Sequence, residues 1–170
     1  MSKNKRAIIV LRHLNKIYPK ISVPLKHRNL FTLLVSVALS AQTTDVNVNK
    51  ATKTIYPKYN KPEHFLKLGR KKIEKLIRST GFFKRKAKSV YLLSKQLVEK
   101  HGGKVPRNFE DLENLHGVGH KTASVVMSQG FGYPAFPVDT HIHRLAQRWG
   151  LTNGKNVIQT ERDLKRIFPK

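Results

Sequence analysis

The sequence contains no cysteine and only 10 acidic residues among 170. Without cysteine, this chain has no disulfide, no thiolate zinc site, no cysteine-ligated iron–sulfur cluster and no cysteine nucleophile. No apolar run approaches the roughly 20 residues needed to cross a bilayer, and the N-terminal segment breaks off too early for a secretory signal. We therefore expect a protein of the cytoplasm that does not bind membranes.

Basic residues dominate the charge, with 34 Lys and Arg giving a formal net charge of +24. A hydrophobic content of 39% with 8 Phe and 5 Tyr indicates a globular chain and not a disordered basic tail. Since such an excess of positive charge repels itself, we expect a polyanionic partner, and nucleic acid is favoured over a membrane surface. Composition alone also allows a ribosomal or chromatin-type protein.

Apolar residues recur at helical spacing along the chain, and alternating strand patterns are missing. Pro and Gly residues and Ser, Thr, Asn or Asp caps set the expected ends of the helices. The predicted helices cover 3–18, 29–39, 45–55, 62–69, a segment ending at Gly81, a segment ending at Gly102, a segment capped by Asn108, 120–130, 139–150 and a last helix that runs into Pro169. Because the connections are short, the sequence predicts an all-α bundle.

A basic segment runs from Lys67 to Lys88, with ten basic residues and Glu74 as its single acid. A solvated helical face is the simplest interpretation of such a run. Here the run surrounds a Gly81-Phe82-Phe83 turn, which places aromatic side chains among cations. That combination is typical of a surface that distorts DNA, and we favour this interpretation.

The segment LHGVGHKTASVV, residues 115–126, places a tight turn between two predicted helices. Gly117 and Gly119 permit the turn, and the free N–H groups of the helix that begins at His120 form a site for an anion. A phosphate held there would be gripped without reading the base. A plain corner between two helices remains the alternative.

Lys121 and Asp139 are the candidate catalytic residues. Lys121 falls in the first turn of a helix, where the helix dipole disfavours a charged ammonium and favours a nucleophilic amine suited to imine chemistry. A surface lysine is the simpler alternative. Asp139 begins the next helix, where it is either only an N-cap or a carboxylate that stabilises a developing cation. Their spacing does not show that the two side chains meet.

Four segments, residues 39–52, 81–90, 115–126 and 138–150, together resemble the endonuclease III family of helix–hairpin–helix DNA glycosylases. The likeness runs over nearly the whole chain. It implies two helical lobes with a DNA groove between them. Residues 1–20 would form an N-terminal helix that packs with the C-terminal lobe, 21–135 a helical domain that ends in the helix–hairpin–helix, and 136–170 an incomplete C-terminal lobe.

The resemblance also implies an activity, which is removal of oxidised pyrimidines from DNA followed by strand cleavage at the abasic site. Lys121 would attack C1′ of an extruded nucleotide, form a Schiff base and lead to β-elimination. Asp139 would be the family's essential carboxylate. Related adenine-removing glycosylases lack this lysine, so Lys121 favours glycosylase and lyase activity together. A non-catalytic helix–hairpin–helix DNA-binding module is the alternative.

The resemblance assigns DNA contacts as well. Gln42 would enter the gap left by the flipped base, and Phe82, where the family usually has leucine, would wedge into the opposite strand. His116 stands where proline usually precedes the hairpin, and His120 replaces a usual basic residue. The remaining expected contacts are Lys84, Arg85, Gly117, Val118, Gly119, Thr122 and His141.

Family members continue into a four-cysteine loop that holds a 4Fe-4S cluster, whereas this sequence ends at Phe168-Pro169-Lys170. We expect no metal and no cofactor in this chain, and a cluster only if a cysteine-containing C-terminus is missing. A fragment, a truncated gene product and a naturally short enzyme all remain open. The expected partner is double-stranded DNA with damaged pyrimidines or abasic sites, bound by a monomer at the nucleoid.

Overall fold

The computed structural model describes residues 1–19 and 24–168, and this part of the chain is helical without a β-strand. The predicted all-α class is confirmed. The helices are α1 (Lys3–Ile17), α2 (Leu30–Leu39), α3 (Asp45–Thr52), α4 (Pro62–Leu76), α5 (Phe83–His101), α6 (Phe109–Glu113), α7 (His120–Phe131), α8 (Thr140–Arg148) and α9 (Val157–Ile167), with a 3-10 turn at Arg78–Thr80.

Side-chain caps explain where most of these helices begin. At the start of α2, the Asn29 side chain accepts from the Thr32 N–H at 2.9 Å, and the Thr32 hydroxyl accepts from the Asn29 N–H at 2.9 Å. This reciprocal pair satisfies two N–H groups that a helix end leaves without partners. Further helices begin at the caps Ser2, Thr44, Asn108, Asp139 and Asn156.

The chain divides into two compact units, which are Val23–Tyr133 and a smaller unit made of Met1–Ser22 with Pro134–Lys170. The larger unit contains α2 to α7, and the smaller unit contains α1, α8 and α9. The predicted boundary at 20–21 lies outside the described residues, as does Pro169. None of the described helices is long and apolar enough to span a membrane.

Helix α2 is the centre of the larger unit, since its side chains are buried almost all round and it packs against α3, α5 and α7. A Cβ atom on Gly130 of α7 would lie 2.6 Å from Leu30 Cδ2, so glycine lets α7 approach α2. The predicted end of this helix at Gly130 was therefore wrong. Helix α7 continues to Phe131, and Gly132 ends it in the left-handed region with φ 66°.

Two further helix ends differ from or refine the sequence prediction. Helix α3 ends at Thr52 and not at Ile55, because the chain tightens there into an i→i+3 bond from the Ile55 N–H to the Thr52 carbonyl at 3.1 Å. Gly69, the predicted end of a separate helix, interrupts α4 with φ 70° and ψ 156°.

The smaller unit has a small apolar core, and in this unit α1 packs against α9. The Arg6 guanidinium donates to the Gly150 carbonyl at 3.1 Å, which ties α1 to the end of α8. The buried apolar residues of this unit are Ala7, Val138, Ala146, Leu151 and Leu164.

Candidate functional site

The turn between α6 and α7 rests directly on α5. Gly117 has φ 78°, and a Cβ atom there would lie 2.8 Å from both Cβ and Oγ of Ser89. Glycine adopts this positive φ without strain and has no Cβ atom to clash with Ser89. Any other residue at position 117 would require α5 or the turn to move. Val118 is buried in the main core and anchors the tip of the turn.

Gln96 of α5 holds the backbone of the same turn from its side. Its Oε1 accepts from the His116 N–H at 2.6 Å, and its Nε2 donates to the Asn114 carbonyl at 3.1 Å. Sequence reasoning missed this residue, because Gln96 lies about 20 positions before the turn and its type and spacing point to nothing in particular. The hairpin is therefore fixed by α5 through both a close contact and two hydrogen bonds.

The N-cap of helix α7 is Gly119, which has no side chain to accept from the first N–H groups of the helix. Lys121 is exposed in this first turn, followed by the partly buried Thr122. The His120 ring stacks on Phe109 with centroids 5.7 Å apart, and its Nδ1 lies 2.6 Å from the Glu113 carboxylate. His120 thus joins α7 to α6 beside the place where an anion would meet the helix.

Gln42 and Phe82 share an uncommon backbone conformation. Their φ angles are +54° and +45°, and no other non-glycine residue in the described ranges has a positive φ. Such residues lie in a sparsely populated region that costs about 1–3 kcal/mol and often marks a functional position. The strained residues are therefore the two that the resemblance expects to insert into DNA, Gln42 into the gap left by the flipped base and Phe82 into the opposite strand.

The structure brings Gln42 and Phe82 together with two other predicted site residues. Both line a concavity of about 150 Å³, together with Arg85 and Gly117. Phe82 is 63% exposed at the rim, and the neighbouring Lys84 and Arg85 are exposed in the first turn of α5. The end of α2, the start of α5 and the hairpin therefore form one continuous surface of the larger unit.

Lys86 has a different place from the rest of the basic segment. It is only 7% exposed, it lines the same concavity, and its Nζ donates to the Thr80 carbonyl at 2.7 Å. Burial lowers the pKa of Lys86. Lys86 belongs to the basic segment 67–88, yet it shares the apolar stripe of Val90 and Leu93, a helical spacing that indicates burial.

Asp139 caps α8 in the smaller unit. Its Oδ1 accepts from the N–H groups of His141 at 3.0 Å and Ile142 at 2.9 Å, so the carboxylate has a fixed orientation at the positive end of the helix dipole. His141 is exposed, and its Nδ1 accepts from the Arg144 guanidinium at 3.3 Å. The predicted site residues are thus divided, with Asp139 and His141 in the smaller unit and all the others in the larger unit.

No cluster of three or more His, Cys, Asp or Glu residues that could hold a metal ion occurs among the residues that the structure describes. The four-cysteine cluster that the resemblance implies has no thiolate ligands in this sequence. The residues present therefore do not fit that cluster.

Comparison with known proteins places these features in a family. A profile described as "HhH-GPD superfamily base excision DNA repair protein" matches residues 35–170. Endonuclease III of Bacillus subtilis is 42% identical over 98% of this chain and 76% of its own length. Endonuclease III of Escherichia coli K12 is 42% identical over 99% of this chain and 80% of its own length.

Solved structures give the same result. A non-covalent endonuclease III–DNA complex matches with a TM-score of 0.94 and 39% identity, over 99% of this chain and 79% of that one. A trapped endonuclease III–DNA covalent intermediate matches with the same TM-score and identity, over 99% and 80% of the two chains. The predicted helix–hairpin–helix glycosylase fold is confirmed by these matches.

Proposed function

Since this chain belongs to the endonuclease III family of HhH-GPD base excision DNA repair proteins, we propose that it is a DNA N-glycosylase with abasic-site lyase activity. The observation that carries the proposal is an exposed lysine, Lys121, in the first turn of the helix that follows the turn at Gly117 and Gly119. A covalent endonuclease III–DNA intermediate among the similar structures supports a nucleophilic route.

Lys121 acts as the nucleophile. Its amine attacks C1′, the bond from C1′ to the base breaks, and the base leaves with a proton. Opening of the sugar ring gives a Schiff base between Nζ and C1′. Loss of a proton from C2′ then breaks the bond between C3′ and its phosphate oxygen, which cuts the strand by β-elimination. Water finally hydrolyses the Schiff base and restores the lysine.

Asp139 stabilises the positive charge that develops on the sugar as the base leaves. Two backbone N–H groups hold its Oδ1, so the carboxylate needs little reorganisation during the reaction. Substitution by asparagine keeps an N-cap and removes the charge. This residue therefore contributes to the chemical step and little to the binding of undamaged DNA.

The partner is double-stranded DNA that contains an oxidised pyrimidine or an abasic site, bound by one copy of the chain at the nucleoid. A base must leave the stack before an amine can reach C1′. Phe82 and Gln42 line the same concavity and both have a positive φ, which suits insertion of Gln42 into the gap left by the flipped base and of Phe82 into the opposite strand. The N–H groups at the start of α7 grip a phosphate of the damaged strand.

Trapping with borohydride tests the proposal. A duplex with one abasic site, and a second duplex with one oxidised pyrimidine, are incubated with the chain while borohydride reduces any imine. We expect a covalent adduct with both duplexes and its loss in Lys121→Ala. Lys95→Ala is the matched control, because Lys95 is an exposed lysine of the same unit that pairs with Glu99.

Asp139→Asn should lower the rate of base release roughly 10²- to 10⁴-fold, with the Kd for the duplex nearly unchanged. An adduct that persists in Lys121→Ala would overturn the role of that residue. DNA binding by the wild-type chain without any adduct would identify a non-catalytic DNA-binding module.

A further inference from the structure

A second basic surface lies at the far end of α2 from the residues discussed above. It is a concavity of about 450 Å³, called here the basic concavity. No acidic residue lines it, and its Lys and Arg side chains form no ion pair with any carboxylate in residues 1–19 and 24–168. Its lining residues are Lys26, His27, Arg28, Asn49, Lys50, Thr52, Lys53, Tyr56 and Pro57.

The backbone that carries these cations is held in place. The Asn49 side chain accepts from the Lys26 N–H at 2.8 Å and donates to the Pro24 carbonyl at 2.8 Å. The Arg28 N–H donates to the Thr32 hydroxyl at 2.8 Å. The His27 Nδ1 donates to the Leu25 carbonyl at 2.9 Å. The segment before α2 is therefore ordered by hydrogen bonds and forms one side of the basic concavity.

Helix geometry separates the basic concavity from the surface around Gln42. Arg28 precedes α2 and Gln42 follows it, and ten helical residues span about 15 Å. Helix α3 also connects the surface around Gln42 to the basic concavity. Its N-cap Thr44 closely follows Gln42, and Lys50 and the C-cap Lys53 lie at its other end. A ligand in one concavity leaves the other accessible.

The charges of the basic concavity are unfavourable in the isolated chain. Lys50 and Lys53 lie near the C-terminal end of α3, where the helix dipole stabilises cations. Lys26 and Arg28, in contrast, stand just before the positive end of α2, which has no acidic residue in its first turn. Four Lys and Arg side chains around one hollow repel one another unless an anion binds among them.

We propose that the basic concavity binds the phosphate backbone of a second nucleic-acid segment while the hairpin holds the first. Two groups of cations, one before α2 and one at the end of α3, line this hollow of about 450 Å³. Contacts from Lys and Arg to phosphate carry no base information, so the second segment is bound without regard to sequence or damage. This inference goes beyond the proposed enzymatic function and does not depend on Lys121.

The test counts duplexes per chain by sedimentation velocity with an undamaged, fluorescent 12-base-pair duplex in excess. The variant is Arg28→Ala/Lys50→Ala/Lys53→Ala, which changes exposed side chains. The control is Lys95→Ala/Lys100→Ala/Lys104→Ala, which removes the same charge from exposed positions of the same unit. Melting temperatures of both variants verify that each chain is folded.

We expect two duplexes on the wild-type chain and on the control, and one on the variant. On the wild-type chain and the control, the association constant of the second duplex should fall by roughly two to three powers of ten for a tenfold rise in salt, as expected when about three phosphates are neutralised. One duplex on the wild-type chain, or two on the variant, would overturn the proposal. Displacement of the second duplex by micromolar tripolyphosphate would also overturn it, since a free polyphosphate would then be the ligand.

Adduct formation with borohydride is measured on the same three chains. We expect it to be equal in all of them, because the altered residues lie outside the proposed catalytic machinery. If no chain forms an adduct, the proposed function fails, and the count of duplexes still decides this inference.

Discussion

The two compact units differ in how firmly each supports its candidate catalytic residue. Lys121 stands on the larger unit, whose continuous core includes the hairpin residues Leu115 and Val118. Asp139 lies in the smaller unit, whose core contains far fewer buried apolar residues. Elements with few buried apolar contacts open at lower free energy than a central core. Lys121 therefore lies on the more stable unit, and we expect local unfolding to expose Asp139 before it exposes Lys121.

An apolar groove in the smaller unit adds to the difference in stability between the two units. The smaller unit contains a hollow of about 300 Å³ lined entirely by hydrophobic side chains, among them Leu14, Phe136 and Trp149. Trp149 is 41% exposed. Side chains that face a hollow lack the dispersion contacts that a filled core would supply. The smaller unit thus gains less from packing than its share of apolar residues suggests.

Paired leucine truncations give the largest expected effect. Leu93→Ala in the larger unit should lower the free energy of unfolding by about 3–5 kcal/mol, as a fully buried leucine does. Leu164→Ala should cost about 2–3 kcal/mol, because it borders the existing groove. Hydrogen exchange should accelerate in α8 and α9 for Leu164→Ala while α2 and α7 stay protected. Equal acceleration in both units would contradict the comparison.

Gly117→Ala should have the next largest effect, about 2 kcal/mol, from a positive φ and a contact with Ser89. Adding Ser89→Gly should restore the free energy of unfolding that is lost through the clash with Ser89. The loss that comes from the positive φ at position 117 should remain. Urea denaturation measures both, and affinity for an abasic duplex should fall with the hairpin. Full recovery in the double variant would show that φ does not matter at this position.

Much of this architecture was predictable because caps and turns are local. The N-caps Asn108 and Asp139 and the left-handed Gly102 follow from residue type and spacing. The end of α7 was missed because Gly130 serves a contact with α2, which no local pattern encodes. Gln96 was missed for the same reason, since its role depends on a turn that is distant in sequence.

The candidate site shows the same division. The hairpin glycines and Lys121 lie in one short motif, so the sequence predicts the turn and the helix start at which they lie; their roles stay predictions. The positive φ of Gln42 and Phe82 is set by the surrounding packing and cannot be read from a glutamine or a phenylalanine. The burial of Lys86 was not predicted, because a count of charges along residues 67–88 does not consider its position on the buried stripe of α5.

Relief of backbone strain should give a smaller effect of opposite sign. Phe82→Gly should raise the free energy of unfolding by about 0.5–1 kcal/mol, because glycine adopts a positive φ without penalty. Base release should slow in the same variant, since the wedge is gone. Phe83→Leu is a control that leaves the strained position unchanged. A loss of stability in Phe82→Gly would show that the ring itself holds the loop.

The smallest expected effect concerns pH. Burial lowers the pKa of Lys86 below its ordinary 10.5, so between the two values the unfolded chain binds more protons than the folded one. The free energy of unfolding contributed by this group therefore rises with pH toward 10.5. Urea denaturation from about pH 7 upward should favour the wild-type chain increasingly over Lys86→Met. The exposed neighbour Lys88→Met should show no such trend.

Helix α5 begins beside Phe82 and carries Ser89 and Gln96, the two residues that hold the hairpin. Phe82 and the hairpin, the two places proposed to contact DNA, are therefore both fixed to one helix, and the distance between them is constant. Under the proposed function, the base step that Phe82 opens lies at a fixed distance from the phosphate that the hairpin binds. That distance would follow from the length of α5 between Phe82 and Gln96 and not from the base sequence.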